Sequence, residues 1–579
     1  MKISLCNVPL RADNLKTTYP PLGAMAVIQS LSSAGHQVDF FDINFFRPTE
    51  ERIRSYLLEH RFDIVGISAT ISTSYGYVKK LSGLIKSVLP DSVIIVGGAL
   101  TASAEIVLSF TDVDYCVIGE GERVALNLAA YIASYGKRKI TQSLKMIKGI
   151  CFKDDSGELV FTGYEQQLGV QDVLDPDYSI LENYSDISNY IIDPFYYEQF
   201  KYDQRSFQPH RKGKKLATVV SSRGCVNRCT FCHRWQQGIR IFPVKRVIEH
   251  IRELTRKYDV GFISFGDEDF GATRKWLEEF IESIAPLDVL YRISGACVTN
   301  VDMALLERLK QSGCVAIHYG FESGSNSILK VMEKNADVDS NIRVGRMTND
   351  TGLQTVIALV VGMPGESSST IKETIGFVKK ITETLPRKPI LSVNALVALP
   401  GAPVYEYARY RGFLGKDLRD EERYLLQVSN QGGESLKLLN LTDYPYFLVQ
   451  AWIRYIYWEV AYNYCVKNRL GQLTFRGLCL TVWERLTGKR GSGDDFSGGL
   501  LSNRLMYKLR YIICPVLVMR MILRADKALF GARMLELIFW PFRRKFFPAY
   551  VPLRGFLAEK TKSLKGIAPN DIKVLRGGR

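Results

Sequence analysis

The chain has 579 residues, enough for three or four domains at the usual length of about 100–200 residues each. Hydrophobic residues make up 46% of it and charged residues 23%, which is ordinary for a folded globular protein and excludes collagen-like, coiled-coil and wholly disordered chains. Residues 441–579 contain 24 Lys and Arg but only 9 Asp and Glu, so they carry nearly all of the net charge of +16.

The beginning of the chain, MKISLCNVPL, has no long apolar run before a cleavage site, and Arg510 and Arg520 bound the most apolar stretch of the tail. We therefore expect neither a signal peptide nor a membrane-spanning helix. The eleven cysteines are odd in number and mostly scattered, unlike a disulfide framework, and this pattern indicates a reducing cytoplasm. The basic tail suits nucleic acid, an anionic membrane surface or an acidic substrate, and a plain solvated surface explains it equally well.

Residues 1–135 alternate short apolar runs with amphipathic segments of ten or more residues, beginning with KISLCNV, LGAMAVIQSLSSAG and VDFFDIN. This alternation predicts an α/β domain of the doubly wound, Rossmann-like type, in which helices cover both faces of a parallel sheet. Residues 136–214 lose the alternation, and we interpret them as a linker that contains one hairpin around Asp155, Ser156 and Gly157.

The alternation resumes over residues 215–415, where six strand-like runs with helical segments between most of them predict a partial (β/α)6 barrel. Residues 416–579 are helical and aromatic in pattern, with WIRYIYWEVAYNY and LMYKLRYIICPVLVMRMILRADKALF as the clearest segments. We expect this basic C-terminal region to form a helical domain that supplies a wall of the substrate site. Its apolar helix faces either pack on the barrel or contact a lipid surface.

Near the end of the first barrel strand, the sequence GCVNRCTFCHRW places Cys225, Cys229 and Cys232 at the spacing C-x3-C-x2-C. Three thiolates on one short loop can each bind a different iron of a 4Fe-4S cube and leave the fourth iron free for another ligand. Structural zinc is the alternative, but a tetrahedral zinc site needs four ligands, and only His233 lies nearby.

This spacing, with Phe231 just before the last cysteine, resembles the signature of the radical S-adenosylmethionine superfamily. The resemblance implies that the free iron chelates the amino and carboxylate groups of S-adenosylmethionine. It also implies that one electron, from a donor such as flavodoxin or ferredoxin, cleaves the sulfonium to a 5′-deoxyadenosyl radical, and that Phe231 lies against the adenine.

Turns after the later barrel strands resemble the same family, in the same order along the chain. One is the turn near the methionine amino group, where Gly-Asp-Glu stands in place of the family's usual Gly-Gly-Glu. Singly these turns are ordinary loop glycines and helix-capping acids, but in a parallel barrel all of them lie at the same edge. The residues that the resemblance assigns to S-adenosylmethionine are Phe231, Gly266, Asp267, Glu268, Glu322, Ser323, Gly362 and Pro364.

Small residues follow two strand-like runs of the first domain, namely Ser68-Ala69-Thr70 after DIVGI and Gly97-Gly98 after VIIV. Glycines at strand ends let a flat ligand approach closely. The spacing resembles the cobalamin-binding domain fused to some radical enzymes, as do YPPLGAMAVIQSLSSAG and DYCVIGEGE. The residues that this resemblance assigns to cobalamin are Ser68, Thr70, Gly97, Gly98, Gly119 and Glu120.

One segment expected of cobalamin-binding domains, Asp-x-His-x-x-Gly, is missing before Gly23, and the nearest histidine, His36, follows the next helical segment. We therefore expect no protein histidine below cobalt, so that a bound cobalamin would be base-off or five-coordinate. The alternative is a domain that keeps the fold but has lost the cofactor.

The leading hypothesis is a cobalamin-dependent radical methyltransferase that acts on an unactivated carbon of a small molecule, a lipid or a pigment. The alternative is a radical cyclase, or another oxidative ring-forming enzyme of the same family, and the motifs do not separate the two. A methylthiotransferase acting on tRNA or protein would carry three further cluster cysteines in its first domain, whereas residues 1–135 contain only Cys6 and Cys116. We therefore expect no nucleic-acid partner, and we expect peripheral membrane contact through the basic tail.

Overall fold

The computed structural model describes residues 1–10, 16–233, 238–296, 301–383, 385, 389–431, 439–467, 504–525, 530–531 and 533–538. Two mainly parallel sheets dominate these residues, one in each of the two α/β regions that the sequence predicts. Of the basic tail beyond residue 467, one long helix and two short pieces fall within the described residues.

The first sheet has seven strands in the order β2-β1-β3-β4-β5-β6-β7, and its first five strands are parallel. These strands are β1 (Lys2–Asn7), β2 (Gln37–Phe41), β3 (Ile64–Ser68), β4 (Val93–Gly97), β5 (Tyr115–Val117), β6 (Ile150–Lys153) and β7 (Leu159–Phe161). Their helices are α1 (Leu22–Ser33), α2 (Ile43–Phe46), α3 (Glu50–His60), α4 (Tyr75–Val88), α5 (Ala104–Phe110), α6 (Gly121–Tyr135) and α7 (Thr141–Leu144). The central strands are apolar along their whole length because helices cover both faces, which confirms the predicted doubly wound domain.

The hairpin around Asp155, Ser156 and Gly157 forms as predicted, but it extends the first sheet and is not part of a linker. β6 pairs antiparallel with β5, so that Phe152 lies opposite Tyr115, and β7 pairs antiparallel with β6. The hairpin thereby covers the edge of β5, whose backbone groups would otherwise lack partners. The connection to the barrel is residues 162–214, which contain the short helices α8 (Ser179–Tyr184) and α9 (Glu198–Lys201).

Six parallel strands form the second sheet, in the order β15-β14-β13-β12-β11-β8, and this confirms the predicted partial barrel. The strands of this region, including a separate hairpin of β9 and β10, are β8 (Lys215–Val219), β9 (Ser222–Cys225), β10 (Gly238–Ile241), β11 (Val260–Phe265), β12 (Leu290–Ala296), β13 (Cys314–Glu322), β14 (Gln354–Val361) and β15 (Ile390–Ala395). Its helices are α10 (Val244–Tyr258), α11 (Arg274–Ile284), α12 (Met303–Gln311), α13 (Asn326–Val331), α14 (Val338–Asp350), α15 (Ser368–Ile381) and α16 (Pro403–Tyr410).

Successive side chains of the barrel strands point to opposite faces of the sheet. Phe265 and Tyr291 pack edge-on against Phe280 of α11, and Phe321 packs edge-on against Phe377 of α15, so this set of residues faces the outer helices. The residues that alternate with them face the interior of the barrel, which we call the lumen.

After the barrel the chain forms α17 (Leu418–Gln431), α18 (Tyr446–Lys467) and α19 (Arg504–Ala525). α17 returns to the first domain, where Tyr75 donates a hydrogen bond of 2.7 Å to Glu422 and the Gly76 amide donates one of 3.2 Å to Ser429. α18 packs on α15 and β15, and α19 packs on α18. The aromatic residues of α18, such as Trp452 and Trp458, are therefore buried against the barrel.

None of the helices within the described part of the chain is both long enough and apolar enough to cross a membrane.

Candidate functional site

The cysteine loop begins on the β9–β10 hairpin, which the sequence patterns did not predict. Cys225 is the last residue of β9 and lies opposite Gly238 in the antiparallel register. The middle of the loop is fixed by Thr230, whose amide and hydroxyl donate to the carbonyl oxygens of Met332 and Val331 at 2.9 Å each. The Thr230 carbonyl in turn accepts from the Val404 amide at 3.0 Å, so the loop is held by the segments that follow β13 and β15.

The three cysteines have different surroundings. Cys229 is buried, Cys225 is half-buried and Cys232 is exposed. The amide and the side-chain NH2 of Asn227 both donate to Cys225 Sγ at 3.4 Å, which favours the thiolate, but burial outweighs these bonds and raises the pKa of Cys225 above its usual value. Cys232 lies within electrostatic reach of the other two thiols.

Among the described residues, no three histidine, cysteine or carboxylate side chains converge tightly enough to hold a single metal ion. A 4Fe-4S cube does not need such convergence, because it takes each thiolate on a separate iron. The donor set, three neighbouring thiols with amide donors around one of them, therefore fits a cluster.

A half-buried cation that the sequence motifs do not indicate lies beside the cysteines. Lys334 is 3.4 Å from Glu322, which has an unusual φ of 63° at the end of β13. Burial disfavours the charged ammonium, but Glu322 together with the thiols of Cys229 and Cys225 outweighs it and raises the pKa of Lys334 above its usual value. Gly320 leaves room for this pair, since a Cβ there would lie 2.4 Å from Glu322 Oε1. The ammonium offsets the negative charge that three thiolates bring.

In the acidic turn after β11, the neighbouring residues Asp267 and Glu268 have different surroundings. Asp267 is buried, and its Oδ1 accepts hydrogen bonds from Ser221 and Ser222, so it fixes the end of β8 to the start of β9. Burial raises the pKa of Asp267 to about 6, although these bonds oppose the shift. Glu268 is exposed instead, so it is the carboxylate that points into solvent at this turn. Gly295 of β12 passes so close that a Cβ there would lie 2.5 Å from the Asp267 carbonyl oxygen.

The remaining residues assigned to S-adenosylmethionine are only partly brought together. Phe231 packs, half-buried, against the apolar cluster that contains Met363, next to Gly362 and Pro364. Ser323 is buried and its hydroxyl lies 3.3 Å from that of Thr374 on α15, so it faces the outer helices rather than the lumen. Of Glu322 and Ser323, the two residues assigned to S-adenosylmethionine at the end of β13, only Glu322 lies on the lumen side.

The turn that contains Gly362 and Pro364 is stabilised from within. Glu366 is fully buried, and its carboxylate accepts hydrogen bonds from the backbone amides of Gly362 and Met363. Burial raises the pKa of Glu366 to about 7 in spite of these bonds. The sequence pattern shows a turn here, and the structure shows that its acid holds the turn in place.

In the first domain the predicted cobalamin residues lie at the carboxyl edge of the sheet. Ser68 is half-buried and Thr70 is exposed there. A Cβ added at Gly97 or Gly119 would meet nothing within 4 Å, so both positions border open space. Gly98 has φ of 92°, and a Cβ there would lie 2.4 Å from the Ala69 carbonyl oxygen, so its glycine is required by the packing of two loops. The open space beside Gly97 fits a ligand that approaches the strand ends closely.

His36 lies far from this edge, since it precedes Gln37, which pairs with Lys2 at the amino end of β1.

Glu120 is engaged in an ion-pair network rather than pointing into open space. Its carboxylate pairs with Arg240 of β10 at 2.6 Å and with Arg223 of β9 at 3.2 Å, and its Oε2 accepts from the Leu168 amide. Glu122 pairs with the same Arg223 at 2.7 Å. These contacts join the GEGE segment of the first domain to the hairpin that carries Cys225. Sequence reasoning missed both arginines, although Arg223 stands only two residues before Cys225.

The two strand edges face each other across a tight contact. Gly401, in the loop after β15, has φ of 87°, and a Cβ there would lie 2.8 Å from His233 Cε1 and 3.1 Å from Ala102 Cβ. Ala102 belongs to the segment that follows Gly97 and Gly98. Burial lowers the pKa of His233 to about 4, so this imidazole is neutral at physiological pH. The cysteine loop and the open edge of the first domain therefore meet at one place.

Comparison with known proteins agrees with this division of the chain. Residues 219–378 match the Radical SAM superfamily, and residues 9–129 match the B12 binding domain. The anaerobic magnesium-protoporphyrin IX monomethyl ester cyclase of Rubrivivax gelatinosus is 27% identical over 365 residues, which cover 62% of this chain and 61% of the cyclase. The chain thus spans about three fifths of the length of that relative.

A methyltransferase and a solved structure are similar to the chain as well. The cytidylyl-2-hydroxyethylphosphonate methyltransferase of Streptomyces wedmorensis is 23% identical over 399 residues, which cover 63% of this chain and 73% of that enzyme. The cobalamin-dependent S-adenosylmethionine radical enzyme OxsB, solved with aqua-cobalamin and S-adenosylmethionine bound, gives a TM-score of 0.55 at 17% identity, with 97% of this chain and 75% of OxsB covered. At this identity the likeness concerns the fold.

Proposed function

We propose that the chain, which matches the Radical SAM superfamily and the B12 binding domain, is a cobalamin-dependent radical S-adenosylmethionine enzyme. It transfers a methyl group to an unactivated carbon of a small molecule, a lipid or a pigment. The observation that carries the proposal is the meeting of two open strand edges at His233, Gly401 and Ala102. A substrate bound there would be within reach of both cofactors at once.

The residues of the barrel edge have distinct roles in this proposal. Cys225, Cys229 and Cys232 would hold a 4Fe-4S cluster, with Lys334 offsetting its negative charge. Glu268 and Glu322 would orient S-adenosylmethionine. When bound, the cluster and S-adenosylmethionine supply a radical that removes a substrate hydrogen atom, and cobalamin supplies a methyl group.

The first test concerns the cluster. Anaerobic reconstitution should load one 4Fe-4S cluster per chain, measured as iron, sulfide and brown absorbance, and Cys225→Ala, Cys229→Ala and Cys232→Ala should each lose it. Cys314→Ala, at a buried cysteine of β13 outside the loop, is the matched control and should keep it. A triple variant of the loop that retains the cluster would contradict the assignment.

The second test separates methyl transfer from ring formation. The similarity to a cyclase over 365 residues supports the alternative that the chain is a radical cyclase. The similarity to a methyltransferase over 399 residues supports methyl transfer. Anaerobic assay with candidate substrate extracts, dithionite and S-adenosylmethionine should release 5′-deoxyadenosine and give a product heavier by one methylene. A product lighter by hydrogen atoms, with no methyl gained, would instead establish the cyclase.

Two partners follow from this proposal. The radical step needs a one-electron donor of the flavodoxin or ferredoxin class. The basic helix α19 would provide peripheral contact with an anionic membrane. Its exposed Leu509, Ile512, Val516 and Leu523 recur at helical spacing, and residues 504–525 contain five Lys and Arg but no acidic residue.

A further inference from the structure

The lumen of the barrel contains a buried arginine whose charge has no acidic partner. Arg292 lies in the middle of β12, opposite Ser264 of β11 in the parallel register. Its neighbours in the strand, Tyr291 and Ile293, belong to the core that packs on the outer helices. Arg292 therefore faces the lumen, below the edge at which Gly295 and Glu322 lie.

The contacts of the guanidinium occupy one side of it. Nη1 donates to Ser264 Oγ at 2.9 Å, and Cζ lies 4.3 Å from the centre of the Tyr197 ring. Nε is buried without a hydrogen-bond partner, and the hydrogen bonds of the described residues include none from Nη2. Nε and Nη2 form the edge of a guanidinium that binds a carboxylate or a phosphate with two parallel hydrogen bonds. The edge suited to an oxyanion is thus the unoccupied one.

Arg211, a second buried arginine, has an acidic partner that Arg292 lacks in the described part of the chain. Within the described residues, Arg211 and Arg292 are the arginines that fall into the most buried class, at 5% exposure each. Arg211 pairs with Asp288 through its side chain, whereas the ion pairs of the described residues include none for Arg292. Burying a charge without an opposite charge is costly, and a single hydroxyl with one aromatic face compensates for only part of the cost.

Two further polar residues face the same space. His318 of β13 and Ser294 of β12 are half-buried, and neither side chain forms a hydrogen bond within the described residues. Burial and then the charge of Arg292 lower the pKa of His318 to about 4, so its ring is neutral and can donate one hydrogen bond. Next to Arg292 the lumen thus offers two further side chains that can donate hydrogen bonds.

We propose that the lumen binds an anionic group of the substrate, a carboxylate or a phosphate, through the Nε–Nη2 edge of Arg292, with Ser294 and His318 donating further hydrogen bonds. The inference rests on the proposed function, because it assigns the substrate's acidic end to the lumen and leaves its reacting carbon near the edge where the two domains meet. Arg292 would then select acidic substrates and set their depth in the barrel.

The test measures anion binding, which does not depend on turnover. The full chain, reconstituted anaerobically and labelled with ¹³C at histidine Cε1, is titrated with propionate, with methylphosphonate and with neutral propionamide. We expect an anion to shift the His318 resonance, identified with His318→Gln, and propionamide to leave it unchanged. The anion that binds more tightly distinguishes a carboxylate from a phosphate.

The variants decide whether Arg292 is responsible. Arg292→Met should weaken anion binding by roughly tenfold or more, as expected for the loss of a charged hydrogen-bonding group, and Arg292→Lys should restore part of it. Arg211→Met, which removes the other buried guanidinium, is the matched control and should bind anions like the wild type. Equal binding by Arg292→Met and the wild type, or no binding of either anion to the wild type, would overturn the proposal.

A separate measurement distinguishes failure of the anion site from failure of the proposed function. Arg292→Met should keep its cluster and still release 5′-deoxyadenosine from S-adenosylmethionine under dithionite, because Arg292 is not among the residues assigned to either. If the wild type binds anions but never cleaves S-adenosylmethionine, the proposed function fails while the anion site stands.

Discussion

Two neighbouring glycines at the carboxyl edge of the first sheet have opposite surroundings and provide a matched pair of variants. Gly97 borders open space and has no positive φ, so Gly97→Leu should leave the fold intact and fill the space for cobalamin. We expect the variant to unfold at the wild-type temperature and to lose cobalamin binding, measured by absorbance after gel filtration.

Gly98→Ala, unlike Gly97→Leu, is expected to destabilise the fold. Its Cβ would collide with the Ala69 backbone, and its φ of 92° is strained for alanine, so the midpoint of thermal unfolding should fall.

Wild-type cobalamin binding by Gly97→Leu would mean that cobalamin does not approach this edge.

The buried carboxyl of Glu366 predicts a pH dependence of stability. Its pKa is raised from 4.5 to about 7 in the folded chain, so the native state holds the proton more tightly than the unfolded state does. The contribution of this carboxyl to the free energy of unfolding is therefore complete below pH 4.5 and is lost as the pH rises to about 7. At roughly 1.4 kcal/mol per pKa unit, the free energy of unfolding falls by about 3 kcal/mol across this range.

Glu366→Gln removes this titration and keeps an acceptor for the Gly362 amide. The unfolding midpoint of the wild type, measured without cofactors, should therefore fall relative to Glu366→Gln between pH 5 and pH 8. A constant difference between the two proteins across this range would show that the carboxyl titrates normally.

Among the elements, the β9–β10 hairpin depends on a distant partner for its position. Arg223 and Arg240 of the hairpin are both paired with Glu120 of the first domain. Glu120→Gln should remove the charged partner of Arg240 and leave Arg223 with Glu122 alone, which should weaken the contact by about 2 kcal/mol. Hydrogen exchange should then accelerate in residues 222–225 and 238–241, and cluster loading should decrease.

The control for the hairpin is Glu122→Gln. Glu122 pairs with Arg223 alone, so Arg223 retains Glu120 as a partner and the effect should be smaller. Equal exchange rates in Glu120→Gln and the wild type would show that the hairpin holds its position without the first domain.

The hairpin also marks the limit of what the sequence can predict. The six barrel strands are mainly apolar segments of five or more residues, and the cysteine loop is a local spacing, so both are visible in the sequence. β9 reads SRGC, with no alternation, and its partner begins thirteen residues after Cys225. The pairing of Glu120 with residues more than a hundred positions away is tertiary, and for this reason Glu120 resembles a ligand contact in the sequence alone.

At the scale of the whole molecule, the proposed membrane contact predicts a response to salt. The chain should co-sediment with vesicles containing phosphatidylglycerol at low ionic strength and be released at high ionic strength, because screening weakens the attraction of basic residues to anionic lipid. Ile512→Glu, at a position 65% exposed on α19, should reduce binding.

Met146→Glu is the matched control for the vesicle experiment, because Met146 is an exposed apolar residue of the first domain, at 80% exposure. It should bind vesicles like the wild type. Failure to bind any vesicle would contradict the membrane contact, and preferential binding to an RNA control would support a nucleic-acid partner instead.

α17 brings the chain back from the barrel to the first domain. The chain leaves the first domain through residues 162–214, builds the barrel, and returns through α17 to bond with Tyr75 and Gly76. Two domains connected by one linker can separate like a hinge, whereas here α17 adds a second connection along the chain. Wide separation therefore requires α17 to detach first, so the rate at which a large cofactor enters or leaves is coupled to a helix that packs on both domains.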